Sequence, residues 1–365
     1  MDVEKYHNIE EFLNRLSLFN NQWYENGDRQ CHWIFRGQKD STAPLQPAIT
    51  RNNRYNEIFD FIQEKLLPKN VPDLKAAIIN TVQSSIGNSD NIYKERLSEI
   101  IKKAFIEIDL IENFVIQANE LGFYVPTLKL FHEQYSEISS VEFFYNNVIK
   151  FINKFAWLDG RRNVLYESMT PSLYNQIPYK KFIEFDYPEA NALAQHHGIP
   201  TRFLDWTKNP LYAVFFANEE SVKNDTICVW ALNTRYISSC LSMGQIKLHK
   251  KLPHKGLEFL HYQQGLFTEM IGSEGYYYHH GDWPSLDKYI NASDKSENFL
   301  KKFELIIHDP DEILSKLNNM NISKIHLMPT YDNIAIEVIR KSNMVANEDS
   351  KKKGNFLKRI FNKLT

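Results

Sequence analysis

Residues 194–216 read AQHHGIPTRFLDWTKNPLYAVFF and join the end of one apolar helix to the start of another. Pro188 suits the first turn of the first helix, and Gly198 is placed to end it in the left-handed conformation. Asn209 and Pro210 predict the N-cap and the first residue of the second helix, LYAVFFAN. Two buried helices are therefore expected to flank a short polar connection, which is how a rigid scaffold presents functional groups.

The polar connection carries several reactive side chains. Its proline favours extended backbone for the residue before it, so residues 201–207 are expected to form an ordered loop. Each side chain also has a structural interpretation, because an aspartate can pair with a nearby arginine and a tryptophan can belong to the core. Together they favour a working site, because a buried polar group without a partner costs stability. The set comprises His196, His197, Thr201, Arg202, Asp205, Trp206 and Thr207.

Composition excludes several classes of protein. The chain has 365 residues, 43% of them apolar and 13% aromatic, as in a folded globular protein. With 43 basic and 45 acidic residues the net charge is −2, so any nucleic-acid contact must be local. Cys31, Cys228 and Cys240 show no C-x-x-C spacing, which favours a reducing compartment. No leader-like or membrane-spanning apolar run occurs, so a cytoplasmic protein is expected.

The spacing at which apolar residues recur changes along the chain. WIFRG predicts a short strand, and apolar residues then recur at helical spacing around 55–66, 97–111 and 141–155. We interpret residues 55–187 as a helical insertion that shapes or lids the site or holds a partner, although a purely core role is an alternative.

The pattern returns to strands after the second apolar helix. Strands are predicted for TICVWAL, GLFTEM and KFELIIH, and Asp309 and Pro310 then predict a short helix with an acidic first turn. The segment YYYHHGDW is interpreted as a surface loop. The predicted fold is α+β: a composite core of residues 1–54 and 188–345, the insertion at 55–187, and a basic tail at 346–365.

Four blocks of the sequence resemble the FRG domain, a prokaryotic and phage module named after its Phe-x-Arg-Gly type motif. The HHGIPTRFLDWT block is long enough to be specific, whereas FRG alone is a weak signal. The context in which this family usually occurs implies that the protein is a bacterial toxin or an anti-phage effector. The blocks are WIFRGQ (33–38), AQHHGIPTRFLDWTKNPLYAVFFA (194–217), HYQQGLFTEM (261–270) and HLMPTYDNIAIEVI (326–339).

The resemblance implies a mixed sheet like that of the ADP-ribosyltransferases, which split NAD at the nicotinamide glycosidic bond. Three motifs meet in a cleft of that fold. The resemblance places Arg36 at the first position and Gln264, less surely Gln263, at the third. The guanidinium of Arg36 can bind a pyrophosphate oxygen bidentately and stays charged at any pH. Asp205 is the candidate anion facing an oxocarbenium-like transition state.

Further roles follow from the same resemblance. His197 or His196 is the candidate base, although a helix C-terminus favours the protonated imidazole. Trp206 or Phe267 is expected to stack on nicotinamide, with NAD as substrate. The expected catalytic residues are Arg36, His197, Asp205 and Gln264, and the expected ligand-binding residues are Arg36, Gln38, Thr201, Arg202, Trp206, Thr207 and Phe267.

One departure keeps other functions open. Protein-modifying transferases of that fold carry a catalytic glutamate where this chain has Gln264, whose amide cannot accept the proton. Glu269 follows five residues later, and an unbroken strand would point it to the opposite face. One alternative is a non-catalytic nucleotide-binding or signal-binding module. Another is a metal-dependent hydrolase or nuclease using His196, His197 and Asp205, but adjacent histidines rarely face one ion, so no metal is expected.

The end of the chain has a different composition. Residues 350–365 hold six basic residues and no acidic one, and a helix after Gly354 would be amphipathic. The segment 355–365 is expected to contact a membrane surface, a partner groove or nucleic acid, with docking onto the body as the alternative. The other expected partners are a dinucleotide or nucleotide ligand and a protein or nucleic-acid acceptor.

Overall fold

The computed structural model describes residues 2–24, 28–51, 91–126, 188–235, 237, 246–250, 252, 256–271, 273–291, 299–340 and 342. All structural statements below concern these residues. The predicted helices around 55–66 and 141–155, the basic tail and Cys240 lie outside them.

Seven strands form one mixed sheet, which confirms the predicted combination of helices with a mixed sheet. Its spatial order is β1-β7-β4-β2-β3-β6-β5. β1 runs parallel to β7, and the other neighbouring pairs are antiparallel. The strands are β1 (Asp2–Tyr6), β2 (Trp33–Gln38), β3 (Phe203–Thr207), β4 (Thr226–Asn233), β5 (Ile246–His249), β6 (Gly265–Met270) and β7 (Leu300–Ile306).

Helices cover both faces of this sheet. The predicted helix over 97–111 is confirmed as part of α3, which has 30 residues, and the last predicted FRG-like block ends in the helix α11. No helix in the described part of the chain is both long enough and apolar enough to cross a membrane. The helices are α1 (Ile9–Leu16), α2 (Ala48–Arg51), α3 (Asn91–Glu120), α4 (Pro188–His196), α5 (Pro210–Asn218), α6 (Glu258–Tyr262), α7 (Ser273–His280), α8 (Leu286–Asn291), α9 (Pro310–Asn319), α10 (Lys324–Leu327) and α11 (331–340).

The predicted helix boundaries are confirmed where local capping chemistry specifies them. Gly198 follows α4 with a φ of 91°, which a side chain would disfavour. The side chain of Asn209 accepts from the backbone N–H of Leu211 at the start of α5. Asp309 caps α9 in the same way, and two acidic residues occupy its first turn.

Two predictions of loop structure are wrong. The polar connection is mainly the strand β3, because Phe203, Leu204 and Trp206 are buried and the backbone of β3 pairs with β6. The segment around His280 is the helix α7, in which the imidazole packs on Tyr276 with ring centroids 4.3 Å apart. In β3 the pairing with β6 and the burial of aromatic side chains outweigh the local turn signals, and in α7 the contact between Tyr276 and His280 is an i, i+4 contact within the helix.

The packing of α5 on the sheet explains the glycine of the FRG-like motif. A Cβ atom built on Gly37 would lie 1.9 Å from the carbonyl oxygen of Ala213, so the helix backbone rests directly on β2. Phe35 and Phe303 contribute to the fully buried apolar core on this side of the sheet. A second core contains Trp206 and Trp230. The helix α3 packs on α4 through small and apolar residues.

Candidate functional site

A cleft of about 240 Å³ lies where β2 and β3 part. Within these two strands the ladder consists of the single pair Phe35–Thr207, whereas β2 pairs with β4 along its whole length. The cleft is lined by residues of β2, β3 and β6, by α5 and α6, and by the last residue of α4. Two of the predicted motifs therefore meet at one opening, together with the start of the third.

Arg36 and Asp205 face each other across this gap. Nη1 of Arg36 donates to the backbone oxygen of Asp205 at 3.0 Å and to its Oδ2 at 3.2 Å. The arginine side chain is only 16% exposed, whereas the aspartate side chain is 58% exposed. Nε of Arg36 is buried and has no hydrogen-bond partner among the described residues. The residue lines the cleft, so its guanidinium places a fixed cation at this opening.

A residue that the sequence analysis did not select, Gln195, holds the other carboxylate oxygen. Its Nε2 donates to Oδ1 of Asp205 at 2.5 Å, and its Oε1 accepts from the hydroxyl of Thr201. Gln195 lies within the AQHHGIPT block, one residue before the histidines. The feature of the sequence that could have identified Gln195 is its position as a polar residue in the last turn of the largely apolar helix α4.

The two adjacent histidines have different surroundings. His196 lines the cleft, and burial, followed by the proximity of His197, lowers its pKa below the ordinary value of 6.5 despite the opposing effect of Asp205. His197 is exposed and stacks on Phe114 with ring centroids 5.8 Å apart. The candidate base at the cleft is therefore His196, not the predicted His197. Burial is the largest cause of this lowered pKa, because it disfavours the charged imidazole.

The two glutamines before β6 also differ. Gln264 is exposed, has a φ of 49° and precedes the strand. Gln263 lines the cleft, and its Nε2 donates to the carbonyl oxygen of Leu327 at 3.3 Å. The structure thus places the less favoured of the two predicted glutamines at the site. The backbone oxygen of Gln263 accepts from the hydroxyl of Thr207, which joins β3 to this turn.

The predicted aromatic residues border the cleft but are largely committed to the core. Trp206 and Phe267 are each 3% exposed, and the indole of Trp206 donates to Thr268 at 2.8 Å. Phe216 also lines the cleft and is only partly buried. It is the aromatic ring most accessible to a ligand. The sequence analysis assigned its helix to the core and therefore missed it.

Arg202 lies outside the residues that line the cleft. Its guanidinium contacts Glu107 at 2.6 and 2.9 Å, Glu274 at 3.3 Å and Glu269 at 3.9 Å. Burial alone lowers the pKa of Arg202, but these carboxylates outweigh burial and raise it. The donors of this predicted ligand-binding residue are thus engaged within the protein.

Thr201 and Gln38 are likewise engaged away from the cleft lining. Thr201 is fully buried, and its hydroxyl bonds Gln195 and the backbone of Phe203. Oε1 of Gln38 accepts from the indole of Trp230 at 2.5 Å. Neither side chain has a free group directed at the cleft in this geometry, so their predicted roles in ligand binding have no support here.

The described residues contain no group of three or more His, Cys, Asp or Glu side chains arranged to hold a metal ion. His196, His197 and Asp205 therefore do not form such a group. Of the predicted set, Arg36, Asp205, Trp206, Thr207 and Phe267 line the cleft.

Comparison with known proteins supports the motif-based resemblance. The family model of the FRG domain matches residues 151–226, of which 188–226 lie in the described part of the chain. This part comprises α4, β3 and α5, which supply one wall of the cleft. No curated protein and no solved structure matches the chain. The protein therefore carries an FRG domain.

Proposed function

We propose that the cleft binds NAD and that the protein cleaves the bond between nicotinamide and ribose. The observation that carries this proposal is the meeting of Arg36 and Asp205 at one cleft. A fixed cation and an accessible carboxylate side by side suit a ligand that is anionic at its phosphates and becomes cationic at its ribose.

The size of the cleft supports binding of one end of a dinucleotide. At about 240 Å³ it is smaller than the roughly 300–1,000 Å³ typical of sites that enclose a drug-sized ligand. Nicotinamide with its ribose matches this cleft volume better than the whole NAD molecule does. The ring of Phe216 offers an apolar surface for nicotinamide, and Arg36 can bind the pyrophosphate at the rim.

The cleft contains the groups that the proposed reaction requires. The bond between ribose C1′ and the nicotinamide ring nitrogen breaks, and nicotinamide leaves with the electron pair. The carboxylate of Asp205 stabilises the resulting oxocarbenium-like cation. Water attacks C1′ and loses its proton to the imidazole of His196, whose lowered pKa keeps it neutral near pH 7. A nucleophile of a protein or nucleic acid in place of water would make the same chemistry an ADP-ribosyl transfer.

Incubation of the purified protein with NAD, followed by quantification of nicotinamide, tests this function. We expect release by the wild type and loss of at least about 100-fold in Arg36→Ala, because the variant lacks the fixed cation. Arg15→Ala is the matched control, since Arg15 forms a two-point ion pair with Glu4 on α1 and β1, away from the residues that line the cleft. Equal release by Arg36→Ala and the wild type contradicts the proposal.

A second candidate is a nucleotide-binding module without catalysis. The observation that favours it is that Gln263, the glutamine that lines the cleft, carries an amide, whereas the resemblance implies a catalytic carboxylate in this part of the fold. Glu269 does not substitute for it, because this carboxylate accepts from His249 at 2.9 Å and lies beside Arg202. Binding of NAD that depends on Arg36, without release of nicotinamide, would select this module over the enzyme.

A further inference from the structure

The hydroxyl of Thr201 has a defined hydrogen-bonding direction. It is fully buried and accepts from the backbone N–H of Phe203 at 3.2 Å. Its own hydrogen is directed to Oε1 of Gln195. A hydroxyl carries one hydrogen and two lone pairs, so accepting from a backbone amide and donating to a side-chain oxygen are compatible.

The carboxylate of Asp205 fixes the orientation of the Gln195 amide, and the hydroxyl of Thr201 complements it. The carboxylate of Asp205, paired with Arg36, can only accept hydrogen bonds, so the amide must present its NH₂ group to Oδ1. The amide oxygen then faces the donor of Thr201. A flipped amide would place its oxygen against the carboxylate, and it would also lose the hydrogen bond that its oxygen accepts from Thr201.

Both oxygens of the Asp205 carboxylate are consequently held. Oδ1 accepts from Gln195 and Oδ2 accepts from Arg36, although the side chain is 58% exposed. We propose that Gln195 is a positioning residue for Asp205 and that Thr201 holds Gln195 in place by donating to its amide oxygen. This inference rests on the proposed function of Asp205, and it gives Thr201 a role in holding Gln195 in place of the predicted contact with the ligand.

The expected kinetic effect is on turnover rather than on affinity. A displacement of about 1 Å of a catalytic group costs about 100-fold in rate. We therefore expect Gln195→Met, which keeps the length of the side chain but removes both hydrogen bonds, to lower kcat for NAD cleavage by roughly 10- to 100-fold. KM changes by less than about 2-fold, because the binding contacts of Arg36 remain.

Substitutions of Thr201 separate orientation from packing. Thr201→Val keeps the shape but not the donor, and is expected to lose kcat as Gln195→Met does, whereas Thr201→Ser retains most of it. Thr234→Val is the matched control, since this buried hydroxyl donates to the carbonyl of His32 at 2.8 Å, away from the cleft. It is expected to lose stability only. If Thr201→Ser is as deficient as Thr201→Val, or if Gln195→Met has the kcat of the wild type, the positioning role is wrong.

A measurement without ligand separates this inference from the proposed function. Exchange of the Gln195 side-chain NH₂ with solvent, followed by NMR, is expected to be slow in the wild type and in Thr201→Ser and faster in Thr201→Val. Slow exchange in a protein that does not release nicotinamide would refute the NAD-cleaving function while supporting the held amide. Fast exchange in the wild type would refute the held amide even if NAD is cleaved.

Discussion

Two arginines of the FRG-like blocks have nearly the same exposure and opposite surroundings. The side chain of Arg202 is 13% exposed and meets three carboxylates, whereas that of Arg36 is 16% exposed and meets one. The donors of Arg202 are satisfied by the protein, but Nε of Arg36 has no partner among the described residues. The number of carboxylates nearby, rather than burial, therefore distinguishes Arg202, whose donors the protein satisfies, from Arg36 at the cleft.

The cluster around Arg202 also connects distant elements. Glu107 of α3 accepts from both the guanidinium and the backbone N–H of Arg202, while Glu274 belongs to α7 and Glu269 to β6. The long helix α3 is thereby attached to the residue just before β3. A rigid β3 in turn holds Asp205 at the cleft.

The largest expected effect comes from removing the buried cation. Arg202→Met leaves the carboxylates of Glu107 and Glu274 without their counter-ion, and we expect a loss of about 3–5 kcal/mol in the free energy of unfolding. Arg36→Met removes a pair with an exposed carboxylate and should cost about 0–1 kcal/mol. Urea denaturation of both variants measures the difference. Equal losses would remove the distinction between the two arginines.

The next effect concerns turnover at the cleft. Asp205→Asn removes the negative charge opposite the developing cation, and we expect nicotinamide release to fall by about 100- to 1,000-fold. Affinity for NAD should change little, because Arg36 stays in place. Kinetics together with equilibrium binding of NAD test this, and a variant with wild-type turnover would exclude the carboxylate from the chemistry.

Within the buried cluster, two glutamates are expected to respond differently to neutralisation. Burial raises the pKa of Glu274 above its ordinary value of 4.5, an effect that Arg202 opposes. A carboxyl with a raised pKa in the folded state stabilises the fold fully below pH 4.5 and loses this contribution as pH rises through its folded pKa. Glu274→Gln should therefore be nearly neutral or stabilising at pH 7.

Glu107→Gln should instead cost about 1.5–3 kcal/mol, because it weakens charge-assisted hydrogen bonds to both the guanidinium and the backbone of Arg202. Thermal unfolding of both variants at pH 7 measures this contrast. A larger loss in Glu274→Gln than in Glu107→Gln would contradict it.

The smallest expected effect is the pH response of His196. Its lowered pKa means that the unfolded chain binds the proton more tightly, so its contribution to stability is complete above pH 6.5 and declines as pH falls from there through the folded pKa. NMR titration of its ring should give a midpoint below 6.5, and His196→Gln should weaken the decline. A midpoint above 6.5 would exclude a neutral base at the cleft.

Features that depend on local backbone chemistry could be predicted from the amino-acid sequence. Gly198, Asn209 and Asp309 were sufficient to predict helix ends, because caps satisfy backbone groups only two or three residues away. The strands β2, β4, β6 and β7 followed from β-branched and aromatic runs, whereas β1 and β5 were not predicted. The meeting of Arg36 and Asp205 was also expected, through the resemblance to the FRG family.

Which of two adjacent residues reaches the cleft depends on long-range packing and could not be predicted from the sequence. His196 rather than His197, and Gln263 rather than Gln264, reach the cleft, because one step along the chain changes the direction of a side chain. The polar connection became a strand because β6 pairs with it. Arg202 became structural because Glu107 and Glu274 approach from distant helices, and no pattern within the motif specifies partners so far away in the chain.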